Sequence, residues 1–563
     1  MNGPITDTPD RPKDFGFIFW VANWMEIVER FAYYGVRVVL PIFMIEAISD
    51  GGPEFDHIQK GTIYAIWALV QSFVPIFSGG FADRYGFKVN IAISTILKII
   101  GYFVMGYAVS IGELFAGMPL SEARPLQADY TYEIFFAGAM FLALGTAIFK
   151  PGLQGLIAHQ MPKGKESFGW GIFYQMVNIG AFIGPMLAGW LRAEVSWNAV
   201  FLTCSAVIAL NFIPLFMFKE PASMDRSDGK SAWDVIKDAF VGLLEPRLFF
   251  FTISFAGFWL MFFQLFDILP NFIDDWVDSR DLANWLGGEG VVPTINGGNL
   301  TQEWIINFNA LLISFFAFAM GWLTGKIKSL NAIVIGILVS AIAIYALGMS
   351  ENGWWCLAAI GLFSIGEMTA SPTKMRYLGG IAPKGKEGLY MGYVNFTVGI
   401  GWSIGSTIAG NLYETGGDKI NLAKKYLIEN QGLAKEAIPK DRAEVLPFFS
   451  EQTGLDPWQT RATLWEAYEP YSMWAIFAFI GLGSMIALMI YNKVVTAASK
   501  DANHKFNLKG QDYVTFSLIP ISLAFWWGAA RLDWNDKAII VQAILFSALA
   551  ATSFYLQQNR KNS

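Results

Sequence analysis

Four ionisable side chains and two tyrosines crowd into Glu26-Ile27-Val28-Glu29-Arg30-Phe31-Ala32-Tyr33-Tyr34-Gly35-Val36-Arg37, inside an otherwise apolar run from about Phe15 to Ile48. At about 100° per residue, Glu26, Arg30, Tyr33 and Arg37 fall within about 60° of one another on a helix, with Glu29 about 60° to one side. A lone charge at the centre of a bilayer costs roughly 2.5 to 3.5 kcal/mol, so four without partners would cost about 10 kcal/mol or more. This face must point into a polar cavity with opposite charges opposite it. There the acids can hold protons and the bases can hold anions. The plainer alternative is that Glu and Arg neutralise each other to tie helices together, but two acids, two bases and two tyrosines exceed what one structural pair needs.

Further polar residues stand in apolar surroundings downstream: Lys150 in Phe149-Lys150-Pro151-Gly152, Asn178, Asp267, Asn309, and Glu367 one turn before Ser371-Pro372. Glu367 is the natural counter-charge for Lys150, since pairing offsets part of both desolvation costs. Asp267, just before Pro270, has the plain alternative of a solvated helix-end residue. The three histidines, His57, His159 and His504, fall in loops or at helix ends and are expected to be solvated, which leaves Glu26, Glu29 and Glu367 as proton carriers. Burial raises a carboxyl's proton affinity and a nearby Arg lowers it, so moving Arg30 relative to Glu26 and Glu29 can capture and release a proton. Each proton entering down a membrane potential contributes about 2.3 kcal/mol per 100 mV. With scattered histidines, two distant cysteines (Cys204 and Cys356) and no nucleophile set beside a base, neither an enzyme nor a metal or cofactor site is expected.

The elements that position these residues follow from composition. Apolar residues make up 54% of the 563 and charged residues only 15%, which excludes an ordinary soluble domain and points to an all-α polytopic membrane protein. Windows long enough to span hydrocarbon fall near 16–48, 60–82, 89–111, 132–158, 169–191, 197–218, 248–273, 304–324, 331–349, 354–380, 388–412, 471–495, 513–531 and 538–557, giving fourteen helices. The basic residues Arg84, Lys88, Lys163, Lys165, Lys326, Lys328, Lys384, Lys386, Lys493, Lys500, Lys505 and Lys509 sit in alternate short loops, so both termini are expected on the cytoplasmic side, with helix one a retained signal anchor. A polar connector at 219–247 with an amphipathic piece from Trp233 to Leu244 divides residues 1–218 from 248–495, six helices each. Residues 414–470 form a polar insert on the outer face, with helical segments near Ile420 to Leu433 and Trp458 to Tyr468, and 496–563 add a two-helix hairpin.

Several of these segments resemble the proton-coupled oligopeptide transporter family of the major facilitator superfamily. Its helix-one pattern E-x-x-E-R-F-x-Y-Y-G is reproduced in full. Phe149-Lys150-Pro151 is similar to a helix-four element, with Gly152 where the family has Asn. Phe173 to Phe182 is similar to the helix-five signature, and Glu367 to Pro372 to the helix-ten segment. Gly79, Asp83, Arg84 and Gly86 belong to a loop that resembles the superfamily's conformational loop, echoed weakly at 321–328. The resemblance implies a two-bundle fold and import of di- and tripeptides or peptide-like solutes with protons by alternating access. It implies proton coupling through Glu26, Glu29, Arg30 and Glu367, and substrate contacts from Arg37, Tyr33, Tyr34, Lys150, Asn178, Trp259, Asn309, Glu367 and Ser371. A monomer in a lipid membrane, without nucleic acid, is expected. Two departures stand out: Phe263 replaces a helix-seven glutamate, leaving Asp267 one turn on as the partner for Arg37 in an outer gate, and Val394 replaces a helix-eleven tryptophan. With the extra bases Lys374 and Arg376, they leave open a divergent transporter of another anionic or amphipathic solute, an exporter included, and the 414–470 insert as a receiver leaves open a non-transporting sensor.

Overall fold

A computed structural model describes residues 14–76, 78, 86–162, 164–219, 232–382, 387–500, 509–532 and 536–561. Fourteen long helices among them match the hydropathy windows. They are α1 (Phe17–Phe43), α2 (His57–Phe73), α3 (Phe87–Gly106), α4 (Thr131–His159), α5 (Glu166–Glu194), α6 (Trp197–Met217) and α7 (Pro246–Asp267), then α8 (Gln302–Gly325), α9 (Ser329–Leu347), α10 (Gly353–Ile381), α11 (Glu387–Gly416), α12 (Ser472–Lys500), α13 (Lys509–Arg531) and α14 (Lys537–Lys561). Ten of them are long and apolar enough to cross a membrane by composition alone. The other four, α1, α2, α10 and α11, bury polar groups: Glu26, Glu29, Arg30 and Arg37; Lys60; Lys374; Ser403 and Ser406. Helices that hide polar atoms from lipid belong in the middle of a bundle, and these four line its centre.

Close approach explains how the pairs hold together. On α5, a Cβ at Gly184 would stand 2.3 Å from the Phe31 carbonyl oxygen of α1, and one at Gly180 would stand 2.5 Å from that of Ile27. Where α2 meets α11, a Cβ at Gly410 would stand 2.4 Å from the His57 carbonyl oxygen. These backbones touch with no room for a side chain, the packing that small residues permit between helices in lipid. Gly152 has a related reason: its missing Cβ leaves room for the Asn90 side chain of α3, whose Oδ1 would lie 2.2 Å from it.

The connector between bundles contains the helix Ala232–Leu243, on the expected amphipathic segment. The insert holds three helices where two were expected: Lys419–Glu429, Arg442–Thr453 and Pro457–Tyr468. Asp418, Asp441 and Asp456 cap them, accepting from the backbone N–H groups of Asn421, Ala443 and Gln459. Leu422, Leu427, Val445, Phe449 and Leu464 form their buried core. A second cap at the same end, unforeseen, runs between α7 and α8, with the helix Arg280–Trp285 and an antiparallel ribbon of β1 (Thr294–Ile295) and β2 (Asn299–Leu300). Its turn uses left-handed φ at Asn296, Gly297 and Gly298 (47°, 74° and 102°). The C-terminal hairpin docks through Gln542, whose Nε2 donates to the Ser403 carbonyl and Oγ and to Thr407 Oγ1 on α11.

His57 corrects its expected solvated state. It is fully buried, its Nε2 lies 2.8 Å from Asp418 Oδ2, its backbone N–H donates to Glu414, and its ring packs on Tyr413. The insert covers it, and Arg442 Nη2 reaches the same Asp418 oxygen at 2.7 Å. Burial raises the Asp418 carboxyl, but Arg442 and the His57 hydrogen bond outweigh it and hold it below the usual carboxylate range. A depressed carboxyl stabilises the fold above its ordinary unfolded value, and that stability is lost as pH falls below it. Asp418→Asn leaves the Arg442 charge without its buried partner, at a cost of about 3 to 5 kcal/mol. At pH 7 the variant is expected to melt lower and to be cut faster by protease within 414–470; parent-like resistance would rule out this anchoring role.

Candidate functional site

The charged face of α1 does not stand alone. Glu26 Oε1 lies 3.1 Å from Arg30 Nε, Arg30 Nη2 contacts Glu29, and Lys98 Nζ of α3 donates to Glu29 Oε1 at 2.5 Å. All four are at most 4% exposed. Glu29 is therefore held between two bases, one from its own helix and one from a neighbour, which is how a carboxylate survives burial. The Arg30 guanidinium also lies over the rings of Tyr33 and Tyr34, 5.3 and 5.9 Å from their centroids. Tyr33 donates its hydroxyl to Gln71. Lys98 was missed from sequence, although a lysine within the 89–111 span carries the same desolvation signal as Lys150.

A second ion pair joins the two bundles. Arg37 Nη2 bonds to Asp267 Oδ1, and its guanidinium lies over Tyr64 (4.1 Å) and Trp402 (5.3 Å). The other Asp267 oxygen accepts from Trp402 Nε1 at 3.0 Å and Ser406 Oγ at 2.6 Å. At 1% exposure and with three partners, Asp267 is not a solvated helix-end residue. Phe263 lies flat on Trp402, centroids 4.3 Å apart and planes within 7°. Around this pair, Lys60 donates to Asn271, Asn271 to the Pro41 carbonyl, Gln302 to the Val38 carbonyl, and Arg192 to both Asp274 and Glu303. Among the described residues, the ion pairs between the two bundles lie toward the end that carries the insert, and Asn307 Nδ2 adds a bond to the Phe182 carbonyl at 2.7 Å. That end is closed.

The middle of the C-terminal bundle is differently arranged. Glu367, half-buried, accepts from Asn309 Nδ2 at 2.9 Å, and the same nitrogen reaches Ser364 Oγ. Among the described residues Glu367 has no basic partner, and Lys150 has no carboxylate within 4 Å. The expected Lys150–Glu367 pair is therefore not formed here. Lys150 lies instead where its charge interacts with Arg30, Glu29 and Glu26. Asn178 donates to the Tyr174 carbonyl on its own helix, and Ser371 is half-buried one turn beyond Glu367. Trp259 stands beneath the Lys374 ammonium, 4.1 Å from ring centroid to nitrogen. Arg376 adds no charge to this region: it clamps the Thr324 and Ile327 carbonyls and Ser329 Oγ at the α8–α9 turn. Gly79, Asp83 and Arg84 lie outside the described residues, while Gly86 opens α3 with φ 93°.

A family model, Major Facilitator Superfamily, matches residues 24–406. A peptide transporter of Yersinia enterocolitica is 24% identical over 474 residues, covering 69% of this chain and 86% of that one. The multidrug resistance protein MdtH of Shigella dysenteriae is 21% identical over 388 residues, covering 68% and 84%. A solved POT family transporter bound to 5-aminolevulinic acid superposes with a TM-score of 0.59 at 17% identity, covering 88% of this chain and 99% of that one, a likeness of fold.

The buried bases supply a test of the cluster itself. Lys98→Met leaves Glu29 with Arg30 alone, and the expected cost is about 3 to 5 kcal/mol, the range for breaking a buried pair. Adding Glu29→Gln should recover part of that loss. A double variant whose melting temperature falls by the sum of the two single losses would mean that the two side chains are not coupled.

Proposed function

The chain belongs to the Major Facilitator Superfamily, and we propose that this multi-pass membrane protein is a divergent peptide transporter, importing di- and tripeptides or peptide-like solutes together with protons. The observation that carries this reading is the Arg37–Asp267 ion pair between the bundles, set against the unpaired Lys150 and Glu367 deeper in. A zwitterionic peptide offers a carboxylate that suits Lys150 and an ammonium that suits Glu367 with Asn309, while Tyr33, Tyr34 and Trp259 line side-chain space. Ligand charges that satisfy both bundles draw them together, which is what alternating access requires.

The coupling logic follows from desolvation. Opening the insert end separates Arg37 from Asp267 and leaves two costly charges. A proton on Asp267, or a substrate carboxylate on Arg37, lowers that cost and shifts the balance toward the open state. Glu26, Glu29 and Arg30 are the coupling core, exchanging protons as Arg30 shifts between the two acids. In this reading the insert end faces outward, both termini are cytoplasmic, and the described conformation is inward-facing.

A second reading, export of an amphipathic solute, draws on the likeness to multidrug resistance proteins and on Phe263 and Val394, which depart from the peptide-transporter pattern. Uptake of a labelled dipeptide into proteoliposomes under an imposed inward proton gradient separates the two. Accumulation that a protonophore collapses is expected; no peptide uptake, with proton-driven efflux of a lipophilic cation, would favour export.

Two variant tests follow. Glu26→Gln and Glu29→Gln should each abolish gradient-driven accumulation while sparing some peptide-driven counterflow; parent-like accumulation in both would remove them from the coupling core. Asp267→Asn weakens the Arg37 bond, so cysteines at the insert ends of α1 and α7 should crosslink less readily than in the parent. Unchanged crosslinking and uptake would mean that the pair does not gate.

A further inference from the structure

Among the described residues of the membrane-spanning helices, bases that are buried or half-buried have acceptors, with two exceptions. Arg30, Arg37, Lys98 and Arg192 each contact a carboxylate, and Lys60 donates to Asn271. Lys150 has no acceptor among the described residues, and neither does Lys374. Lys374 is the more severe case, at 2% exposure. Its ammonium meets only aromatic faces, Trp259 at 4.1 Å and Phe255 at 5.6 Å. A ring face attracts a cation but replaces only part of its lost hydration, and it leaves three N–H donors unused. Thr369 and Thr373, on the preceding turns, spend their hydroxyl protons on carbonyls of their own helix.

Position gives this lysine a purpose. Lys374 follows Glu367 by seven residues, so the two lie within about 20° of each other on α10, about two turns apart. Glu367 is half-buried and bears on the polar middle of the C-terminal bundle. Trp259 links the two regions, since its ring also packs against Phe263, 5.9 Å between centroids, and Phe263 against Trp402 beside Asp267. Among the described residues of the centre, the ionisable groups with no opposite charge within 4 Å are two bases, Lys150 and Lys374, and one acid, Glu367. The complement of that set is a molecule with two anionic groups and one cationic group.

We propose that Lys374 is a recognition site for a second anionic group on the substrate, and that the favoured substrate is a short peptide with an acidic side chain. Lys150 takes the main-chain carboxylate, Glu367 the ammonium, and Lys374 the side-chain carboxylate, with Trp259 as the floor of that subsite. This assignment rests on the peptide reading above. The selectivity is a difference of affinities, set by a charge-assisted bond that a neutral peptide cannot make.

The test is binding to purified protein, followed by calorimetry, with alanyl-glutamate and alanyl-alanine as probes. The parent should bind alanyl-glutamate at least about tenfold more tightly. In Lys374→Met that ratio should fall toward one, and in Lys374→Arg it should largely return. Because no ion pair is lost, Lys374→Met should melt no lower than the parent; a marked fall would mean a structural partner and overturn the proposal. Equal affinities for the two peptides in the parent, or the same ratio in the parent and Lys374→Met, would overturn the subsite and leave the peptide reading standing. Failure of the folded parent to bind either peptide would overturn both.

Discussion

An ion taken out of water must bring a counter-ion with it, and this constraint fixes more of the structure than any apolar contact. It explains why Glu29 sits between Arg30 and Lys98, and why α3 must pack where its lysine reaches α1. It sets α7 and α11 against α1, since Asp267 needs Arg37, Trp402 and Ser406 at once. Four of the helices that bury polar groups, α1, α2, α10 and α11, are not among the ten that length and apolarity alone mark as membrane spans, while α3 and α7 are and still supply Lys98 and Asp267. The apolar helices then fill in around them, adaptable because lipid and leucine offer each other much the same surroundings.

The same rule makes the two ends of the bundle unequal. At the insert end Arg37 pairs with Asp267 and Arg192 with Asp274 and Glu303 across the bundles, and Lys60 donates to Asn271. The insert adds the Arg442–Asp418 pair, whose carboxylate also takes the His57 ring of α2. A seam tied by so many desolvated pairs opens only when something replaces them, and protons and charged ligands are the agents able to do so. The central groups that lack partners are placed to meet such a ligand.

Much of this was legible in the residues. The helices follow from hydropathy, and the α1 cluster from four charges at helical spacing. The Asp267 contact was legible only through the family resemblance, which implies an acid one turn earlier, at Phe263. Lys98 was equally legible and went unread, because it lies in a span whose average is apolar, and averaging hides a single charge. The ribbon after α7 had its signal in Asn296-Gly297-Gly298, and the third insert helix in Asp441 with Glu444 three residues on. His57 is different in kind. Nothing local distinguishes a solvated loop histidine from one that a distant insert covers, so its burial depends on tertiary docking more than 350 residues away in sequence.

Phe263 and Trp402 show how a departure from pattern can be local and complete. With phenylalanine in place of an acid, an unpaired Arg37 would be untenable in this setting. Asp267, one turn beyond Phe263, is the partner, and Phe263 itself presents an aromatic face. That face is used: Phe263 stacks on Trp402, and the stacked indole is held so that its N–H points at Asp267. A tryptophan two turns along α11 from Val394 thus supports the displaced acid, which it could not do from position 394. Phe263, Asp267 and Trp402 form one unit in which the arginine has a buried partner. Beneath this ion pair the region is left to aromatic rings and to Lys374.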